Sequence, residues 1–227
     1  MGLKNYYTGK RASGTTLYDL AGSSNGTLGG SNLPSINTNG YLSFSGGHGS
    51  TAGNWQRVNF VNTDFQYSWN SSFSFAILFR SRKNDSTAHY LFCIAEHSQN
   101  GIVSIRLDGS NGIDILLLSS SGAYKRYMPG TNICDGNWHL VVAAYSQNSL
   151  NVYVDGKPVS LTTDNAISSG NFYPVSNGKA LFGALWQQSS SNYIYDCTSD
   201  IGSFYNFNHK LSAAEVVNLN AFLKGMF

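Results

Sequence analysis

The chain has 227 residues, 41% hydrophobic and 11% charged, which is enough for one substantial core and a single domain over residues 1–227. Its formal net charge of +2 is too small to indicate a nucleic-acid-binding surface. Three cysteines (Cys93, Cys134 and Cys197) lack the spacing of a zinc site or a disulfide framework, so we expect buried free thiols.

The N-terminal residues contain no apolar stretch of the kind found in a secretory signal. No window approaches the roughly 18 apolar residues of a membrane helix, so we expect no membrane insertion. The sequence indicates synthesis in a cytoplasm. It also predicts a short N-terminal arm over residues 1–12, ahead of a core spanning about residues 17–216.

The first half of the chain reads as short strands separated by turns. Residues 17–28 are dense in turn formers, and residues 40–46 read as a strand that ends at glycine. Phe73, Phe75, Ile77 and Phe79 alternate with other residues, which predicts a strand with one strongly buried face. High aromatic and glycine content fits this pattern, so the sequence predicts an all-β fold, an antiparallel β-sandwich.

Four further strands are predicted in the middle of the chain. They cover Tyr90–Ala95, Ile102–Leu107, Ile113–Leu118 and Ala123–Tyr127, with Ser, Asn and Gly turns between them. Successive short strands of this kind form an antiparallel meander, in which pairing is mostly between neighbours.

A hairpin follows. Trp138 opens a run in which Leu140, Val142 and Ala144 can face a core, and residues 150–155 alternate in the period of a strand. Asp155 and Gly156 then supply the positive φ angles that a two-residue turn needs.

A short helix is predicted at the C-terminus, over about residues 213–224. Ser212 and Glu215 have the spacing of a capping box. The residues expected to form its apolar face, docked on the sandwich, are Val216, Leu219, Phe222 and Leu223.

Several of these segments share motifs with one family. The strings D-G-N-W-H-L-V (135–141) and L-N-V-Y-V-D-G (150–156) resemble the central hairpin of the laminin G-like, concanavalin A-like lectin/glucanase sandwiches. The opening D-L-A-G (19–22), the strand at 40–46 and N-H-K-L-S-A-A-E (208–215) are similar to the family's beginning and end. The resemblance implies a jelly roll, a fold that hosts sugar-binding, protein-binding, catalytic and structural domains.

Catalytic residues are scarce. A retaining glycosidase needs two carboxylates about 5 Å apart, and the chain has only Glu96 and Glu215, the second of which caps the helix. Asp108 and Asp114 could pair across a hairpin, or act as turn formers. His139 could be a strand residue that is hydrogen-bonded within the sandwich, or it could be a catalytic base. We expect a protein that is not an enzyme, with a polysaccharide-active enzyme as the least favoured alternative.

Calcium is implied by the resemblance, because many relatives hold one ion at the sandwich edge. The family's F-D-G is Phe44-Ser45-Gly46 here, and the acidic residue usual a few positions later is replaced within residues 47–50, so two expected ligands are missing. Asp200, Asp196 and Asp19 are the remaining candidate ligands.

Aromatic side chains in polar surroundings are candidates for stacking on sugar rings. They could equally cover the edges of the core. The candidate glycan-binding residues are Trp186, Gln187, Tyr193, Tyr195, Trp55 and Trp69.

The D-L-x-G opening also resembles domains of tailed-bacteriophage structural proteins. The predicted function is a non-catalytic binding module on a virion surface, as a capsid decoration or tail protein with affinity for host cell-surface glycans. Capsid or tail partners would be contacted through residues 1–12 and 221–227, and the sequence leaves homo-oligomerisation open. The alternative is a free, extracellular carbohydrate-binding module of the lectin type.

Overall fold

A computed structural model describes residues 2–46, 55–60, 62–95, 101–128, 132–173, 179–187, 192–194 and 197–225. In these residues the chain forms an antiparallel β-sandwich, which confirms the predicted fold class. Two large sheets, called sheet A and sheet B below, enclose the main core. Strands are numbered in chain order.

Sheet A has the order β15-β14-β13-β8-β20-β6-β5, and β1 also pairs with β20. Its strands are β1 (Leu3–Thr8), β5 (Ser35–Ile36), β6 (Leu42–Ser43), β8 (Ser72–Ser81), β13 (Trp138–Ser146), β14 (Ser149–Val154), β15 (Lys157–Val159) and β20 (Ser199–Phe207).

Sheet B has the order β16-β12-β11-β10-β9-β17-β7-β4-β3-β2. Its strands are β2 (Ala12–Ser13), β3 (Thr16–Leu17), β4 (Gly26–Gly29), β7 (Arg57–Asn59), β9 (His89–Ala95), β10 (Ile102–Leu107), β11 (Ile113–Leu118), β12 (Tyr124–Tyr127), β16 (Thr163–Asp164) and β17 (Lys179–Phe182). A separate hairpin consists of β18 (Leu185–Gln187) and β19 (Asn192–Ile194), and 3-10 turns cover Gly9–Arg11 and Asn62–Phe65.

The strand predicted from the alternating aromatics is the centre of sheet A. β8 lies between β13 and β20, and Phe73, Phe75, Ile77 and Phe79 are fully buried in the main core. The opposite face of the sheet, including Leu140 and other alternate residues of β13, packs into a second apolar cluster on the outside. Sheet A is therefore covered on both faces.

The hairpin turn at the end of β14 has the predicted backbone. Asp155 and Gly156 have φ angles of 52° and 79°, and Val154 pairs with Lys157 across the turn. The preceding turn between β13 and β14 uses the same device, with φ angles of 39° and 67° at Gln147 and Asn148. Both tight turns place φ in the region that Asn, Asp and Gly tolerate best.

The predicted meander is present as β9-β10-β11-β12 in sheet B. The other pairings join distant parts of the chain, since β8 pairs with β13 and β20, and β17 pairs with β7 and β9. The strand predicted over residues 40–46 is present only at Leu42–Ser43. All three cysteines are free and buried, as expected.

The prediction of a free N-terminal arm is wrong. Residues Leu3–Thr8 form β1 and pair with β20, so that Tyr6 lies opposite Tyr205. Asn5 and Tyr7 are each only 1% exposed. Polar Asn5 and Thr8 interrupt the apolar alternation, and the strand is held by tertiary pairing. Truncating residues 1–12 would therefore remove part of the sheet rather than a contact arm.

The C-terminal helix α1 covers Ala213–Lys224 and begins with the predicted capping box of Ser212 and Glu215. Val216 and Leu223 are buried against the outer face of sheet A, and Leu219 packs beside them. Phe222 is 63% exposed, which corrects its predicted docking. At 3.6 residues per turn it lies about 120° around the helix from Val216, outside the buried stripe.

Five layers result: the β18–β19 hairpin, sheet B, the main core, sheet A and α1. The hairpin and the helix thus lie on opposite outer faces of the sandwich. Within the described residues, no helix has the length and apolar character needed to span a membrane.

Candidate functional site

The predicted binding loop contains a two-stranded hairpin. β18 and β19 pair so that Trp186 lies opposite Tyr193, and their rings meet edge to face with centroids 4.9 Å apart. The backbone of Gln187 belongs to β18, and its side chain is not among the described parts of the structure. Tyr195 and residues 188–191 lie outside the described residues.

The hairpin packs on the outer face of sheet B. Tyr193 and Leu185 are buried there, and the partly buried rings of Trp55 and Trp186 pack against the same cluster. The sheet residues beneath them are Tyr90, Cys93, Ala95 and Leu181. Three of the predicted aromatic residues, Trp55, Trp186 and Tyr193, therefore come together.

Trp69 does not join this group. Its ring packs against the main core, and its carbonyl oxygen accepts a hydrogen bond of 2.7 Å from the hydroxyl of Tyr145. For Trp69 the structure favours the packing role that the sequence left as an alternative.

Two cations cover the aromatic rings. The guanidinium carbon of Arg57 lies 3.7 Å from the ring centroid of Tyr193, and the Lys179 Nζ lies 3.6 Å from that of Trp186. Lys179 Nζ also donates a hydrogen bond of 3.0 Å to the Tyr193 hydroxyl, which donates one of 3.1 Å to Asn59 Oδ1. Cation–π contacts at these distances are favourable and orient the charged groups.

Sequence reasoning missed these polar partners. Trp55, Arg57 and Asn59 follow one another at a spacing of two, which places them on one face of β7 and of its N-terminal extension. Leu181, two residues after Lys179, pairs with Asn59. The spacing of two residues from Trp55 could have indicated that Arg57 and Asn59 share its strand face. No pattern in the nearby sequence indicates that Lys179 joins them. Trp55, Arg57, Lys179, Trp186 and Tyr193 are called the hairpin cluster below.

The hairpin cluster contains three buried N–H donors that have no acceptor among the described residues. They are the indole Nε1 atoms of Trp55 and Trp186 and the Nε atom of Arg57. An unpaired buried donor costs about 1–3 kcal/mol, and most such groups in folded proteins are paired. The cluster is thus rich in donors and supplies few acceptors of its own.

Asp19 organises the loop before β4. Its carboxylate accepts hydrogen bonds from the backbone N–H groups of Tyr6, Ala21 and Gly22 and from the amide of Asn5. Burial alone would raise the pKa of Asp19, but these bonds hold it below its usual range. The D-L-A-G motif therefore has a structural explanation.

Asp200 is held by Arg80 and Ser43. Its Oδ2 atom accepts bonds of 3.0 and 2.5 Å from Arg80, and Oδ1 accepts one of 2.5 Å from the Ser43 hydroxyl. Asp196 lies outside the described residues, and in the rest of the chain that the structure describes no group of three or more acidic, His or Cys side chains could hold a metal. The oxygens of Asp19 and Asp200 do not fit a calcium site, and calcium binding stays an untested prediction.

His139 is bracketed by two carboxylates. Nδ1 lies 2.9 Å from Asp155 Oδ2, and Nε2 lies 3.0 Å from Asp135 Oδ1. The bond to Asp155 raises the pKa of His139, burial opposes this, and Asp135 adds to the rise. Because both nitrogens face carboxylates, neither is free to take a proton from a nucleophile.

The two aspartates considered for catalysis have separate structural roles. Asp108 accepts bonds of 2.8 Å from the N–H groups of Ser110 and Gly112 and forms the β10–β11 turn. Asp114 is instead a fully buried strand residue, paired with Arg106 and Arg126 at 2.7 and 2.8 Å. Asp114 is thus not a turn former, and it carries no free carboxylate.

A family model described as the concanavalin A-like lectin/glucanases superfamily matches residues 52–217, which is most of the chain. The chain belongs to this superfamily. No curated protein matches it by sequence. The family's fold accounts for the two sheets and for the hairpin of β13 and β14.

Solved structures with the same fold share little sequence with the chain. The binding domain of Paraclostridial Mosquitocidal Protein 1 is 12% identical, with a TM-score of 0.72 over 98% of this chain and 52% of that one. A Trypanosoma rangeli sialidase in complex with sialic acid is 13% identical, with a TM-score of 0.70 over 99% and 33%.

The receptor binding domain of botulinum neurotoxin D is 15% identical, with a TM-score of 0.69 over 98% of this chain and 53% of that one. This chain thus spans about half or less of the length of these proteins. At such identities the likeness shows the shared fold alone.

Proposed function

We propose that this protein binds glycans through the hairpin cluster and does so without catalysis. The observation that carries the proposal is the set of three buried, unpaired N–H donors at Trp55, Trp186 and Arg57. A glycan presents many hydroxyl, ring and carbonyl oxygens, each of which can accept such a bond. Its apolar ring faces complement the partly buried indole of Trp55.

Charge supports the same ligand class. Arg57 and Lys179 place two positive charges at the cluster, with no acidic side chain among the contacts described for it. An acceptor-rich ligand, neutral or acidic, therefore meets a complementary surface. The sialidase captured with sialic acid and the neurotoxin receptor binding domain show that proteins of this fold include binders of sugars or receptors, although this chain covers only 33% and 53% of them.

The absence of catalysis is part of the proposal. Asp114 is neutralised by two arginines, His139 by two aspartates, and Glu215 is engaged in the helix cap. Glu96 lies outside the described residues. Each described carboxylate considered for acid–base chemistry thus has structural hydrogen-bond partners in the fold.

The decisive experiment is a glycan array probed with the purified protein, once with calcium and once with chelator. We expect specific binding that Trp186→Ala abolishes. Trp186→Phe keeps a ring but removes the N–H donor, and should weaken binding by about tenfold, the value of one hydrogen bond. Loss of binding on chelation would establish the calcium ion predicted from the resemblance.

Phe222→Ala is the matched control, because it removes an exposed aromatic ring from α1 on the opposite side of the sandwich. It should leave glycan binding unchanged. The proposal fails if no glycan binds in either condition. It also fails if Trp186→Ala, shown to be folded by circular dichroism, binds as well as the unsubstituted protein.

A virion surface is the setting we propose for this binding, with capsid or tail proteins as partners. It rests on the resemblance of the D-L-x-G opening to phage structural domains. A free extracellular lectin is the alternative setting. Mass spectrometry of purified virions separates the two settings. A stoichiometric copy number of the protein would support the virion surface, and its absence would favour the free lectin.

A further inference from the structure

A second pocket lies between the two sheets, at the end of the sandwich where β14 turns into β15. It has a volume of about 460 Å³, within the range of about 300–1,000 Å³ that is typical of small-molecule sites. Ile113 and Tyr127 line it from sheet B, and His139, Val154 and Val159 line it from sheet A. The hairpin cluster lies on the outer face of sheet B and shares no residue with this pocket.

The apolar walls of the pocket belong to the inner faces of both sheets. Ile113 and Tyr127 are members of the main core, and Val154 and Val159 pack against it. Lys157 lies directly opposite Val154 in the ladder of β14 and β15. Directly paired residues of neighbouring strands share one face of a sheet. The walls and Lys157 therefore face the same space.

Tyr127 supplies a hydroxyl group to this pocket. The residue is 8% exposed, and its hydroxyl makes no hydrogen bond with the part of the chain that the structure describes. Burial raises the pKa of Tyr127, so the group is a neutral O–H donor at neutral pH. Because nearly all buried polar groups in folded proteins find a hydrogen-bond partner, this donor favours a ligand that brings an acceptor.

Lys157 supplies a positive charge at the rim. It makes no ion pair or hydrogen bond with the described residues. The other charges at this rim are paired with one another. Asp155 lies 2.9 Å from His139 Nδ1 and 4.0 Å from Lys224 Nζ. Asp135 lies 3.0 Å from His139 Nε2. A ligand carboxylate would therefore meet one ammonium group that is not already engaged within the described residues.

We propose that this pocket binds a small molecule that has an apolar body and one carboxylate group. The body occupies the space among Ile113, Val154 and Val159, and the carboxylate accepts from the Tyr127 hydroxyl and the Lys157 ammonium group. Burial of the body supplies most of the affinity, and the two donors fix the orientation. A sugar ring fits this pocket poorly, because the aliphatic walls would leave its hydroxyl groups unpaired.

The test is isothermal titration calorimetry of the full chain with three probes at matched ionic strength. Sodium hydrocinnamate has the apolar body and the carboxylate, hydrocinnamyl alcohol keeps the body without the charge, and sodium acetate keeps the charge without the body. We expect saturable binding of hydrocinnamate, about tenfold weaker binding of the alcohol and none of acetate. No saturable binding of hydrocinnamate, or equal affinity for the alcohol, would overturn the proposal.

Two substitutions test the donors. Lys157→Gln should weaken hydrocinnamate binding about tenfold and leave binding of the alcohol unchanged, because it removes only the charge. Tyr127→Phe should also weaken hydrocinnamate binding, without lowering the melting temperature of the free protein. Tyr124→Phe is the matched control, because Tyr124 lies three positions earlier on β12 and therefore on its opposite face. Unchanged affinity in both Lys157→Gln and Tyr127→Phe would overturn the assignment.

Filling the pocket tests where the apolar body lies. Val159 is partly buried on the edge strand β15, so a larger side chain can be accommodated there. Val159→Phe should abolish binding of both hydrocinnamate and the alcohol. Normal binding by this variant, shown to be folded by circular dichroism, would overturn the proposal. Trp186→Ala should bind hydrocinnamate normally, so a failure of the glycan array leaves this pocket unaffected.

Discussion

Asp114→Asn should destabilise the fold more than any other single-atom change on the outer face of sheet B. Asp114 is fully buried and accepts bonds of 2.7, 2.8 and 2.8 Å from Arg106 and Arg126. Asparagine has nearly the same shape but no charge. The substitution leaves two guanidinium groups facing one another with no anion between them.

The magnitude follows from burial. Removing one member of a buried ion pair costs about 3–5 kcal/mol. The arginine side chains here are 24% and 28% exposed, so water reaches them and the lower end applies, about 3 kcal/mol. For a chain of this size that corresponds to a fall in melting temperature of about 6–12 °C.

Urea denaturation followed by circular dichroism measures the free energy of unfolding directly, and an unchanged m-value shows that only stability has changed. Asp108→Asn is the matched control: it makes the same change at the neighbouring exposed turn, where asparagine can still accept from Ser110 and Gly112. A loss below 1 kcal/mol for Asp114→Asn, or losses of equal size for both variants, would refute the reasoning.

Three further predictions follow from particular contacts. The pKa of His139 is raised in the folded protein, so its stabilising contribution is complete below its unfolded pKa of about 6.5 and is lost as pH rises through the folded value. The difference in melting temperature between the unsubstituted protein and His139→Gln should therefore shrink from pH 6 to pH 9. A constant difference would contradict this. Gly183→Ala should cost about 2 kcal/mol or more, because φ is +80° and the new Cβ atom would lie 2.5 Å from Phe44 Cε1, whereas Gly14→Ala, with φ of +57° and open space, should cost about 1 kcal/mol by chemical denaturation. Burial raises the pKa of Cys93, and all three thiols are buried, so Ellman's reagent should react slowly until denaturant is added; rapid modification of any thiol in the native protein would show local opening.

Local patterns account for much of what was predicted correctly. The alternation at residues 73–79 identified the central strand of sheet A, the Asp155-Gly156 pair identified its hairpin turn, and the spacing of Ser212 and Glu215 identified the start of α1. Each depends on residues within a few positions of one another. Their physical causes, strand period, positive φ and helix capping, act over the same short range.

The errors have the opposite character. Residues Leu3–Thr8 are a strand because β20, about two hundred residues later, offers an edge on which to pair. Phe222 is a large apolar residue of the kind that packs against a sheet, but the orientation of α1 on sheet A leaves it exposed to solvent. Trp69 resembles the other candidate aromatics in sequence, yet it packs against the main core.

The sequence by itself determined the family, the sandwich, the turns and the helix boundaries, together with the aromatic residues from which a binding site could be built. Tertiary structure alone decided that Trp55, Trp186 and Tyr193 meet, and that Arg57 and Lys179 cover two of their rings. Strand register is set by packing between segments more than a hundred residues apart. A site built across such strands therefore leaves little trace in any local window of the sequence.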